Sequence, residues 1–161
     1  MLTLQVLVVL LLVIAALGLA AYDALRDSRE HARDKAVAVA LSVADSPTVR
    51  DALNRSDPCS TLQPYAEQVR ADTDVDFVVV MRLDRTRCTH PNPDLIGQSF
   101  IGDLGGAPDG RVFTQQYTGT LGPSVRSVVP VRSGSEVVGL ASVGITVEHI
   151  EDQIWRGSVW V

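Results

Sequence analysis

The chain has 161 residues, 46% of them apolar, which suffices for one domain with a buried core plus appendages and excludes a disordered polymer. Nineteen acidic against fourteen basic residues give a net charge of −5, and without a basic cluster nucleic acid is excluded as a partner. Lys35 is the only lysine, so nearly every cation is an arginine.

Residues 2–21, LTLQVLVVLLLVIAALGLAA, carry no charge and as a helix span roughly 30 Å, the thickness of a bilayer core. The expectation is a transmembrane helix over 1–21, with a cleaved signal peptide as the alternative because Gly18-Leu19-Ala20 offers small residues. No Lys or Arg precedes the span, while Arg26, Arg29, Arg33 and Lys35 follow it. Taken literally, that asymmetry puts residues 22–161 in the cytoplasm, and a basic segment upstream of Met1 is the expectation that reverses it.

From Tyr22 to Ala44 the helical pattern continues without Gly or Pro, so one long helix runs out of the span. Ser46-Pro47 restarts a helix, with Ser46 as N-cap and Pro47 at the first helical position. Asn54 to Pro58 breaks it, and Leu62–Val69 supplies a further short helix. Phe77–Met81 is the most strand-like run, and Asp84-Arg85-Thr86 turns into a second short strand, Arg87-Cys88-Thr89-His90, which Pro91 and Pro93 end. Residues 102–111 read as a glycine-rich loop and Val112–Tyr117 as a strand.

The rest is organised around residues 119–146. Gly119-Thr120-Leu121-Gly122-Pro123 is a loop whose glycines let the backbone approach a bound group. In the strand that follows, alternation puts Ser124, Arg126, Val128 and Pro130 on one face and Val125, Ser127, Val129 and Val131 on the other. Arg132 to Ser135 turns into a small, β-branched strand, Val137–Ile145, so the pair reads as a hairpin. An arginine flanked by apolar neighbours two residues away either takes an anion or points into water from an edge strand, and both readings stand. Val147, Ile150 and Ile154 recur at helical spacing, so residues 147–161 read as a C-terminal helix that Trp155 and Trp160 bring toward a second membrane span.

Cys59 and Cys88 are the only cysteines. Outside the cytoplasm they form a disulfide closing about 30 residues, for roughly 3 kcal/mol on the chain-entropy model. Two free buried thiols are the alternative. A metal site of Cys59, Cys88 and His90 lacks a fourth ligand, and Asp72, Asp74 and Asp76 are too scattered for a divalent cation, so no metal or other cofactor is expected. His31 and His149 fall on surface helices. His90 follows Arg87 by three residues, which opposes their side chains in a flat strand, so a shared role requires a bend. No hydrolase elbow, zinc-protease motif or phosphate loop occurs, and enzymatic activity is not expected within these residues.

Arg87-Cys88-Thr89-His90, followed by Pro91 to Gly97, then Gly119 to Arg126, then Val137-Val138-Gly139 and Ala141 to Gly144, resembles the sensor domain of the citrate and C4-dicarboxylate sensor histidine kinases. The resemblance implies an α+β fold of PAS-like, single Cache type: a five-stranded antiparallel sheet over residues 22–146 with a long N-terminal helix. It implies an extracytoplasmic ligand-binding domain on the cell membrane and a homodimer, with a cytoplasmic kinase and response regulator if the parent protein is longer. Carried over by position, Arg87, His90 and Arg126 bind carboxylate, Phe100 and Val128 wall the cavity, and the backbone of Thr120 and Leu121 donates amides. Citrate-binding members carry a lysine where this chain has Val128, which favours a C4-dicarboxylate. A chemoreceptor-type or stand-alone binding module and an anchored adhesive domain are the competing readings, and the sequence after Val161 separates the first from a kinase.

Overall fold

In a computed structural model, which describes residues 2–119 and 121–148, the long apolar helix and the helix that follows it are one element, α1, Leu2–Asp45. The expectations for Thr120, His149 and the helix and tryptophans of 150–161 lie outside the described residues. From Leu4 to Leu19 the large apolar side chains of α1 are exposed, and among the described side chains burial begins at Ala32. From there Ala32, Ala36, Val39, Ala40, Val43 and Ala44 form a buried stripe. Its alanines let the helix lie close against β3 and β4, Gly122–Ser133 and Glu136–Thr146.

Helix α2, Pro47–Leu53, starts where Ser46-Pro47 predicts. Ser46 makes no side-chain cap; instead its carbonyl accepts from Val49 and Arg50 N–H, both at 3.1 Å. Helix α3, Cys59–Thr73, is longer at both ends than the expected 62–69. It includes Pro64 and stops at Asp74, whose φ of 50° is left-handed.

The sheet has four strands, not five, in the order β1-β4-β3-β2, with every pair antiparallel. Strand β1 is Phe77–Met81 and β2 is Phe113–Gly119. The expected strand Arg87–His90 is absent for identifiable reasons. Arg85 takes a left-handed φ of 72°, and beyond the single bridge between Met81 and Arg87 the N–H groups of Cys88 and Thr89 both turn to the Val80 carbonyl. Thr89 Oγ1 then stands in for a ladder, accepting from Val80 N–H at 2.7 Å and donating to the Val78 carbonyl at 2.9 Å. Pro91 and Pro93 cannot donate at all.

Alternation divides the sheet cleanly. Val78, Val80, Val125, Val129, Val131, Ala141, Val143 and Ile145 face the helices. Phe77, Val79, Met81, Val128 and Leu140 face the other way, with Phe100, Leu104 and Ala107 over them. The hairpin of β3 and β4 turns at Gly134, whose φ is 63°, and carries a bulge between Val131 and Arg132. Arg126 therefore lies on an inner strand, which rules out the edge-strand reading.

Candidate ligand-binding site

On the sheet face away from α1, β1 contributes Phe77 and Val79, β3 contributes Ser124 and Arg126, and β2 contributes Tyr117 to one cavity of about 30 Å³. Arg87 and His90 close it from the irregular segment after β1, Phe100, Ile101 and Gly102 from the loop above, and Leu121 and Gly122 from the turn between β2 and β3. The bend that Arg87 and His90 need comes from the loss of the fifth strand. Two tethers to α3 hold the bent segment. Cys59 and Cys88 are joined in a disulfide, and Gln63 clamps His90, donating from Nε2 to its carbonyl at 2.9 Å and accepting its N–H at 3.0 Å.

Arg87, His90 and Arg126 are each 3% exposed, so none is a solvated surface cation. The Phe100 ring stands near both guanidiniums, 5.8 Å from Arg87 and 5.2 Å from Arg126, and Arg126 also lies 4.0 Å from the Tyr117 ring. Arg126 Nη2 donates to the Asp103 carbonyl at 2.8 Å. Burial lowers the pKa of both arginines from the usual value; for Arg126, Tyr117 and Asp103 oppose that shift and the like charge of Arg85 adds to it.

Burial also lowers the His90 pKa below its ordinary 6.5, the Arg87 charge lowers it further, and Glu67 opposes them. Asn92 N–H donates to His90 Nδ1 at 2.9 Å, so the neutral ring carries its proton on Nε2. The ring is therefore neutral at pH 7, because it is buried beside a guanidinium.

Among the described residues, the buried side-chain atoms without a partner are Arg85 Nε, Arg87 Nε, Gln115 Nε2, Arg126 Nε and Ser142 Oγ. Register places Gln115 opposite Arg126, and Ser142 beside Val79 and Val128, so these unmet groups gather on the cavity side of the sheet. Four of the five are nitrogen donors, and no carboxylate lines the cavity among the described residues. Chemically this is a receptacle for acceptors, and for anionic ones above all.

Of the residues singled out from sequence, Arg87, His90, Phe100, Leu121 and Arg126 share this cavity, and Thr120 lies outside the described residues. Val128 does not wall it. Fully buried and paired with Phe113 and Ser142, it belongs to the apolar layer beneath. Sequence reasoning missed Phe77, Val79, Tyr117 and Gly102. Tyr117 was open to inference, since register with Ser124 puts it on the Arg126 face. The close approach of Gly102 had no sequence signal: a Cβ there would overlap the Arg126 guanidinium.

A profile described as single cache domain 3 matches residues 24–157. The chain is 35% identical over 132 residues to sensor protein CitS of Halalkalibacterium halodurans, covering 80% of this chain and 24% of that protein. It is 32% identical over 129 residues to sensor histidine kinase DcuS of Escherichia coli, covering 79% of this chain and 24% of that one. The crystal structure of the E. coli DcuS sensor domain superposes with a TM-score of 0.73 at 32% identity, over 79% of this chain and 97% of that one. The chain spans about a quarter of the length of the curated relatives it matches.

Proposed function

The chain belongs to the single Cache domain 3 family, and from that premise we propose that residues 22–146 are an extracytoplasmic domain that senses a small di- or tricarboxylate for a two-component sensor histidine kinase. One observation carries the reading: Arg87, His90 and Arg126 meet in a single buried cavity that no carboxylate lines among the described residues. Two guanidiniums and an imidazole bind two carboxylates through charge-assisted hydrogen bonds, each contributing roughly 1.5 to 3 kcal/mol. The relatives named sensor kinases support the output, which resides outside these residues.

A C4-dicarboxylate is favoured over citrate. No further cation lines the cavity among the described residues, and Val128, in the layer beneath, stands where the resemblance places lysine in citrate binders, so a third carboxylate would be buried unpaired at a cost of several kcal/mol. The membrane attachment rests on α1, which is long and apolar enough to cross a bilayer over its first half. A homodimer and a cytoplasmic response regulator complete the proposal.

Calorimetry with succinate, fumarate, malate and citrate on the wild type and Arg126→Ala is the test. C4 acids are expected to bind more tightly than citrate, and Arg126→Ala to bind none of them. Citrate binding more tightly than every C4 acid overturns the ligand order, and undiminished binding by the variant overturns the pocket.

A further inference from the structure

Three successive carbonyls above the cavity are each held by one side chain. Tyr117 OH donates to Ile101 at 3.5 Å, Arg85 Nη2 to Gly102 at 2.8 Å, and Arg126 Nη2 to Asp103 at 2.8 Å. Gly102 lies so close over the Arg126 guanidinium that no side chain fits between them. The central cation of the site is thus engaged with the main chain of the loop that covers it. At about 30 Å³ the cavity admits roughly two waters, whereas a four-carbon dicarboxylate has about eight non-hydrogen atoms, so an acid enters only as surrounding atoms move.

We infer that the Asp103 carbonyl is a built-in competitor for Arg126, and that Arg85 and Tyr117 are positioning residues that set ligand affinity by fixing the segment bearing it. The inference rests on the reading of Arg126 as a carboxylate ligand. A charged carboxylate is a stronger acceptor than a neutral carbonyl, and because Gly102 lies over the guanidinium and the cavity is too small for the acid, binding at Arg126 pushes aside the loop that carries the Asp103 carbonyl. The loop then loses one of its three side-chain holds. The apparent affinity is scaled by the fraction of molecules in which Arg126 has left Asp103. Weakening the hold on the loop therefore tightens ligand binding, the reverse of what damage to the pocket does.

Gly105 N–H, which donates to Asp103 Oδ1 at 2.9 Å, reports the state of the turn. Hydrogen exchange at Gly105, followed by NMR on the full chain in micelles, tests the inference with succinate and citrate as probes. Arg126→Met without acid, and the wild type saturated with acid, are both expected to accelerate Gly105 exchange severalfold. Tyr117→Phe, which keeps the ring under Arg126 and loses the bond to Ile101, is expected to bind the acid about threefold more tightly. Unchanged Gly105 exchange in Arg126→Met, or acid binding that leaves or slows that exchange, overturns the competitor. Calorimetry on the same samples separates the two claims: no binding of succinate or citrate overturns the carboxylate reading and the inference with it, whereas binding with unchanged exchange overturns the inference alone.

Discussion

Reducing the Cys59–Cys88 disulfide separates a stability effect from a binding effect. The bridge spans a sequence separation of 29, and on the chain-entropy model a loop of that length restricts the unfolded chain by about 3 to 4 kcal/mol. Little folded-state packing is lost, because Cys88 is fully buried in the helix-side core and a reduced thiol remains a small apolar group there. Against a typical domain stability of about 5 to 15 kcal/mol this is a large fraction, and for a domain of this size it lowers Tm by roughly 10–15 °C. His90 keeps its second tether through Gln63, and Thr89 keeps both bonds to β1, so the segment holds its place while the fold persists. The assay is urea unfolding with and without a thiol reductant, with Cys59→Ala/Cys88→Ala as the irreversible counterpart, and calorimetry with the acid that the oxidised protein binds. Equal urea midpoints in the two redox states refute the entropy argument. Lost binding in reduced protein that is still folded refutes the sufficiency of Gln63 and Thr89.

Three further perturbations have a worked direction. Thr89→Val keeps the shape but strips partners from Val80 N–H and the Val78 carbonyl, and is expected to cost about 2 to 4 kcal/mol in urea unfolding, with Thr89→Ser recovering most of it. His90 has a folded pKa below its ordinary 6.5, so its contribution to stability is complete above pH 6.5 and is lost as pH falls through the folded value. His90→Gln should accordingly flatten the decline of Tm below pH 6.5; a wild-type profile that rises on acidification through that window contradicts the sign. A Cβ at Gly144 would overlap the Phe77 ring, so Gly144→Ala is expected to destabilise by about 1 to 3 kcal/mol and to weaken acid binding, since Phe77 lines the cavity. An unchanged melting curve would show that the ring relaxes freely.

Where the sequence was legible, a single local rule governed the outcome. Period-2 alternation assigned both faces of β3 correctly, because its core residues are buried on each side of an inner strand and no register slip is tolerated there. Arg87–His90 was misread as a strand for the opposite reason: its composition suits a strand, but its fate depends on partners far away in sequence. The backbone reversal at Arg85, the bridge from Cys59 and the clamp from Gln63 all act on it from outside. Propensity measures how well a residue fits a pleated surface, and here the segment meets the edge strand β1 through one bridge and the Thr89 side chain rather than through a regular ladder.

The site divides along the same line. Alternation put Arg126 and Val128 on one face, which left a buried cation and an edge-strand arginine both open, and it does not reveal depth along the strand. Val128 proves to lie a layer beneath the cavity, while Tyr117, on the next strand, forms its wall. Depth is set by Phe100, just before the glycine-rich loop, and by Leu104 and Ala107 within it, which cover Val128 while leaving Arg126 at the cavity edge. A loop of such composition has no hydrophobic period to read, so its seating follows only from the contacts it makes. Those contacts run through main-chain carbonyls of Ile101, Gly102 and Asp103, groups that every sequence possesses and that therefore leave no trace in one.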